Sequence, residues 1–275
     1  MFIFPFLDNT NNGDYMKKIL VTGARSGIIN SVIDNIKNRY YIYVTVENEK
    51  QLEIIKQKYK DYNNIECLKL DVTDKDDRQM VEMLDIDIFI SNAAIGEGGS
   101  ISEIPFDKVR HNFEVNVFSN FELMQIIIKQ MMKKKKGKII MVSSIGAYLP
   151  LDFLGVYCAT KASISMLTTT LKNELKLINN NIKIKLIEPG LYHTGFNQVM
   201  LENKYEWMDI DSYFKNIIDY LRQRETIYFN LLERRSLNTI VRKIINAIDS
   251  DNDKFIYSAP ISQLLYSRIY NLFKH

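Results

Sequence analysis

Histidine and cysteine are nearly missing from this 275-residue chain, which holds only His111, His193 and His275, and Cys67 and Cys158. The histidines lie far apart in sequence, which argues against a zinc site, and no other metal site is expected. The two cysteines match neither a metal-ligand spacing nor a disulfide framework, and they suit a reducing, cytoplasmic compartment. A surplus of charge is missing too. Against 36 Lys and Arg stand 33 Asp and Glu, a net +3 that is too even for a nucleic-acid surface. No Pro-, Gly- or Ser-rich linker divides the chain, and no internal repeat is found. The apolar start, "MFIFPFL", is short, lacks a basic leader and is broken by Pro5. It makes a poor signal peptide and no membrane span, so stable membrane insertion is not expected. What remains is globular: 46% of residues are hydrophobic and 25% charged. The length is within reach of one α/β domain whose core needs no staples.

Met16, followed by two lysines and an apolar run, resembles a natural start. Residues 1–15 are expected to be a disordered extension, with a short anchor on a membrane or partner as the alternative. From residue 16 onward, apolar β-rich runs alternate with helical patterns. The runs are "KKILVTG", "YYIYVTV", "IECLKLDV", "DIFISNAA", "KIIMVSS", "IKIKLIEPG" and "KFIYSA". The helical patterns cover 27–38, 49–60, 74–84, 105–135, 155–179 and 235–249. This alternation predicts an α/β fold, a doubly wound, mostly parallel sheet of about seven strands in a single domain over 16–275. The runs are almost continuously apolar, as strands covered on both faces should be. "KKKKGK" at 133–138 reads as a solvated helix end and turn.

Residues 157–161 read "YCATK". In a helix, positions four apart share one face, so Tyr157 and Lys161 meet in one small volume. A neighbouring cation favours phenolate and is expected to pull the tyrosine pKa down toward working pH. Cys158, about a hundred degrees further round that helix, is expected in the core. Earlier in the chain, "LVTGARSGII" places Gly23 and Gly27 at a strand-to-helix turn. There, backbone amides and a helix N-terminus can receive a pyrophosphate.

Taken together, these motifs resemble the short-chain dehydrogenase/reductase family, and the matches run in order through residues 17–194. "TGARSGII" is similar to the family's T-G-x-x-x-G-x-G, "SNAA" at 91–94 to N-N-A-G, and "EPGLYHT" at 188–194 to P-G-x-x-x-T. "EVN" at 114–116 supplies the helix asparagine, and Ser144 lies thirteen residues before Tyr157, the family's usual interval. The resemblance implies a Rossmann-type sheet in the order 3-2-1-4-5-6-7. It also implies an NAD(P)-dependent oxidoreductase acting on a secondary alcohol or ketone. Its catalytic set would be Asn116, Ser144, Tyr157 and Lys161, with Ser144 and Tyr157 on the substrate. The cofactor would lie along Gly23, Arg25, Ser26, Gly27 and Ile28, then Glu47, Asp71 and Val72, then Asn92, Ala93 and Ala94. Tyr157, Lys161, Pro189, Gly190 and Thr194 would complete it, Thr194 on the carboxamide. In the family the helix asparagine holds a water that links the lysine to solvent.

Two departures stand out. Ile29 occupies the third glycine position, where its side chain is expected to crowd the cofactor or push the helix outward. Val46 replaces the acid that selects NAD at the end of the second strand, but Glu47 follows it, about where a ribose-binding acid is expected. NAD is therefore expected over NADP, with Arg25 the nearby cation that could favour NADP or pair with Glu47. Residues 195–232, rich in aromatics, are expected as a substrate lid, which suggests a lipophilic substrate. The helical pattern at 260–275 leaves three roles open: covering the pocket, joining a dimer or touching a membrane. The expected partners are a small-molecule substrate and further copies of the chain, as a homodimer or homotetramer. A non-catalytic dinucleotide-binding or scaffold member of the same fold is the main alternative, supported by Ile29 and opposed by the intact catalytic set.

Overall fold

A computed structural model describes residues 16–178 and 181–273; the extension expected at 1–15 lies outside the described residues. Strand β1 (Lys18–Val21) enters helix α1 (Gly27–Ile36), and β2 (Tyr41–Val46) enters α2 (Glu49–Tyr59). Next come β3 (Ile65–Lys69), α3 (Lys75–Met80) and β4 (Ile88–Ser91). A long crossover of α4 (Phe106–Phe113) and α5 (Asn120–Lys134) leads to β5 (Lys136–Val142) and α6 (Gly155–Leu177). The chain closes with β6 (Asn181–Pro189), α7 (Phe196–Met208), α8 (Ile218–Leu232), α9 (Asn238–Asp249), β7 (Ile256–Ala259) and α10 (Ile261–Leu272). The seven strands form one parallel sheet in the order β3-β2-β1-β4-β5-β6-β7. The order reverses at β1, so a crevice opens there at the carboxyl ends of the strands.

Alternating side chains of each strand go to opposite faces, and each face has its own core. Ile19 and Val21 join α1, α2 and α9 on one face. Leu20 joins α5 and Ile164 of α6 on the other. Because both faces are covered, apolar residues occupy successive positions along the strands and do not merely alternate.

Three expectations need correction. The helix expected across 105–135 is interrupted by a π-type turn over residues 114–119. Lys138 does not lie in a solvated turn. It is buried in β5, where its ammonium donates to the carbonyls of Ile248 and Ser250 and pairs with Asp251. The third concerns Ile29. Its side chain is fully buried and packs in the core under α1, so it neither faces the crevice nor stands in the way of a ligand. Helical direction explains this: two residues beyond Gly27, the side chain has rotated toward the sheet. Replacing Ile29 by glycine should lower unfolding free energy by about 3–5 kcal/mol without tightening cofactor binding. Denaturant unfolding and a cofactor titration on the same variant check both halves of that expectation.

Candidate active site

The crevice begins with the turn after β1. Gly23 has φ +63°, and a Cβ there would stand 2.8 Å from the Ala93 Cα. Only glycine fits both the backbone and the space. The helix that follows has no side-chain cap at Ser26 and no acid in its first turn. Its first N–H groups are left for an anionic ligand, which is what a pyrophosphate needs. Gly27 lies under Thr194: a Cβ on Gly27 would meet the Thr194 side chain at 3.2 Å. The 188–194 segment therefore closes over the start of α1. Ile28 is partly exposed beside it, and Arg25 is exposed.

Buried Thr22 fixes the neighbouring segment. Its hydroxyl accepts from the Asn92 and Ala93 amides at 3.0 and 3.1 Å, while the Asn92 side chain donates to the Thr22 and Gly23 carbonyls. Beyond Ala93 and Ala94 the chain runs to Ser100 without regular structure, although much of it is buried. Three asparagines spaced four apart serve its backbone. Asn112 binds Glu97, Asn116 binds the N–H and C=O of Ile95 at 2.8 and 2.9 Å, and Asn120 binds the Ala93 carbonyl at 2.9 Å. Asn116 also donates to the Thr160 hydroxyl at 3.0 Å. Its amide is thus committed to Ile95 and Thr160, not turned toward Lys161. Sequence reading singled out Asn116 alone; the four-residue spacing of "NFEVNVFSN" was the available signal for the other two.

On the far side of the crevice, Ser144 follows β5, and its hydroxyl accepts from the Gly146 amide at 3.0 Å. Tyr157 and Lys161 lie on α6, both buried. The Lys161 ammonium stands 5.7 Å from the Tyr157 ring centroid and donates to the Val142 carbonyl at 3.3 Å. Burial pushes the Tyr157 phenol well above its ordinary value, and the adjacent Ser144 hydroxyl pulls the other way. Burial also lowers Lys161 to about 8. The expected downward pull of the lysine on the tyrosine is therefore not what this arrangement gives. Loss of water outweighs the neighbouring charge for both groups. Cys158, also buried, packs beside Tyr157 as expected of a core residue.

Glu47, Asp71 and Val72, expected along the cofactor, make the following contacts within the protein. Glu47 is exposed at the end of β2, where Gln51 donates to it at 3.3 Å; among the described residues no ion pair joins it to Arg25. Asp71 accepts from the backbone and hydroxyl of Thr73, and Asp74 caps α3. Val72 is buried, and its carbonyl accepts from Arg78 at 2.7 Å. At the end of β6, the Gly190 amide donates to Ala259, and Leu191 donates to the Gln263 side chain at 2.8 Å.

Sequence reading passed over Glu188. Its carboxylate is fully buried and accepts from Ser258 at 2.8 Å and from Tyr148. Tyr148 ends the turn that begins at Ser144, so Glu188 ties that turn to the Pro189–Gly190 segment. A glutamate inside a strand pattern, directly before Pro-Gly, was the one hint. Among the described residues, no group of three His, Cys, Asp or Glu could hold a metal ion.

A short chain dehydrogenase family model matches residues 17–205. An uncharacterised oxidoreductase of Bacillus subtilis, YusZ, is 28% identical over 75% of this chain and 78% of its own. An NADPH-dependent 3-dehydrocapnine reductase of Ornithobacterium rhinotracheale is 26% identical over 64% of this chain and 65% of its own. The solved structure of a short chain dehydrogenase/reductase from Burkholderia phymatum, in complex with NAD, superposes with a TM-score of 0.79 at 17% identity, covering 94% and 93% of the two chains.

The depressed lysine sets a pH dependence. Lys161 titrates near 8 in the fold against 10.5 when exposed. At neutral pH, keeping it charged therefore costs the fold about 3 kcal/mol. That cost is full below pH 8, shrinks as pH rises toward 10.5 and is gone above it. Lys161→Met should accordingly be more stable than the parent at pH 7, with the gap closing by about pH 10.5. Urea unfolding across that range measures it; a constant gap would show that the ammonium bears no such cost.

Proposed function

The chain belongs to the short-chain dehydrogenase family, and we propose that it transfers hydride between a nicotinamide cofactor and a lipophilic secondary alcohol or ketone. The observation that carries this reading is the grouping of Ser144, Tyr157 and Lys161 beside the Gly27–Thr194 closure, at the crevice where the strand order reverses. The bound nicotinamide supplies or takes the hydride at its C4. Gly23, Ser26, Gly27 and Ile28 would hold its pyrophosphate. Asp71, Val72 and Asn92 to Ala94 would line the adenine and the central part. Pro189, Gly190 and Thr194 would cover the nicotinamide.

Tyr157 is the general acid and base. Its raised pKa keeps the phenol protonated at neutral pH, ready to donate to the carbonyl oxygen as hydride reaches the carbon. Ser144 hydrogen-bonds that same oxygen and holds it in line. Lys161 stabilises the phenolate left behind and binds the nicotinamide ribose hydroxyls. Asn116 keeps the floor of the site in place through Ile95 and Thr160. In oxidation the proton returns by the same route.

The surroundings of Tyr157 support a lipophilic substrate. Leu154, Met200 and Phe229 form a buried cluster with it, and the Phe196 ring stands 5.9 Å from its own. Phe196 and Met200 belong to α7, so residues 195–232 act as the lid over the reacting atoms. Exposed Glu47 favours NAD, because a carboxylate there would repel a 2′-phosphate. The exposed rings of Phe106 and Phe118 suit assembly as a homodimer or homotetramer. A cytoplasmic setting agrees with the two free cysteines.

Tyr157→Phe should lower kcat more than about tenfold while leaving the cofactor Kd within about twofold, since only the proton donor is lost. Stopped-flow turnover and fluorescence titration test this on a panel of ketones; a variant retaining wild-type kcat would falsify the assignment. For the cofactor, NAD should bind about five- to tenfold more tightly than NADP, and Glu47→Arg should reverse the order. Calorimetric titration of both proteins with both cofactors measures it. A parent that prefers NADP would move the ribose-phosphate role to Arg25.

A further inference from the structure

Helix α10 carries its apolar residues on the wrong side for a core. Gln263, Leu264 and Ser267 face the body of the protein. Ile261, Leu265, Tyr266, Ile269, Tyr270 and Phe273 are 39–81% exposed. At about 100° per residue, these six span roughly half the circumference. The face continues onto α8. Tyr228 lies near Tyr266, the Leu232 carbonyl accepts from Gln263 at 2.7 Å, and Leu231 is 78% exposed.

Arginines border this face. Arg234 and Arg235 follow α8 directly, and Arg268 borders the apolar arc; all three are exposed, and none forms an ion pair among the described residues. The acids at 249, 251 and 253 are turned to the amino-terminal ends of the strands, where they pair with Arg39, Lys17, Lys138 and Lys183.

We propose that the α8–α10 face docks onto an anionic phospholipid bilayer, with the arc of α10 at the boundary of headgroups and acyl chains and Arg234, Arg235 and Arg268 against lipid phosphates. An apolar stripe fringed by unpaired arginines, on a helix too short to span, is the pattern of an interfacial helix. A second copy fits less well. In a two-fold contact the face meets itself, and α10 carries no acid to pair with the arginines. Gln263, on the same helix, binds Leu191, so the docked face is joined directly to the segment that closes the crevice.

The test is vesicle co-sedimentation of the full chain. One set of vesicles is phosphatidylcholine alone; the other contains about 30% phosphatidylglycerol. The parent should partition to the anionic set about tenfold more strongly, and high salt should remove the preference. Leu265→Asp with Ile269→Asp should abolish partition. Arg234→Ser with Arg235→Ser should lower it about tenfold on anionic vesicles only. All four positions are exposed, and circular-dichroism melts confirm that the variants remain folded. Failure of the parent to bind either set overturns the proposal, as does binding that the arginine changes leave intact. A concentration-dependent oligomer, dissolved by the Leu265 and Ile269 changes, would likewise overturn it and assign the face to a second copy.

Discussion

A buried backbone must have its N–H and C=O groups paired, and the site depends on how that demand is met after β4. The chain leaves the sheet at Asn92 and passes under the crevice without helix or strand to satisfy it. Side chains do so instead. Thr22 receives two of its amides, and Asn112, Asn116 and Asn120 bind groups of Glu97, Ile95 and Ala93 from one face of the crossover helix. The turn in that helix widens to π type at the same place. Widening there aligns with the Asn116 bonds and the Asn120 bond to the Val115 carbonyl. The glycine turn, the floor of the crevice and α6 are thereby held to one another through hydrogen bonds that leave little play.

Within that frame, water removal governs the electrostatics. Tyr157 and Lys161 are near neighbours, yet burial moves each toward its neutral form. Elsewhere the frame gives buried charged groups fixed partners. Lys138 has two carbonyls and an aspartate, and Glu188 has two hydroxyls. Lys204 and Glu225 pair with each other between α7 and α8, at 2.6 Å. Each of these groups joins elements distant in sequence, so polar burial acts as fastening between the sheet and the segments around it.

Much of the sheet was legible because parallel strands covered on both faces leave an unmistakable trace of continuous apolar residues. Its order followed from the family resemblance, and the structure has that order. Of the positions singled out in the motifs, Gly27 meets Thr194, and Tyr157 meets Ser144 and Lys161. What sequence could not show was direction. Ile29 faces the core and not the crevice, Lys138 points inward from a run of lysines, and the apolar residues of α10 point outward. A period tells that a helix has two faces but not which one the fold covers. Glu188 was hidden for a different reason: a single polar residue in an apolar run carries no spacing signal, and its partners, Ser258 and Tyr148, come from other elements far along the chain.

The strand order also constrains when the protein can become active during synthesis. β1 pairs with β2 and β4, so the first half of the sheet, with the glycine turn and Glu47, can assemble once about ninety residues have emerged. Ser144 and Tyr157 come later. The 188–194 segment that closes over Gly27 is placed only after β6, and its tie to Gln263 waits for the last helix. In chain order, the glycine turn is therefore placed well before the residues proposed for proton transfer, and the cover over Gly27 comes later still.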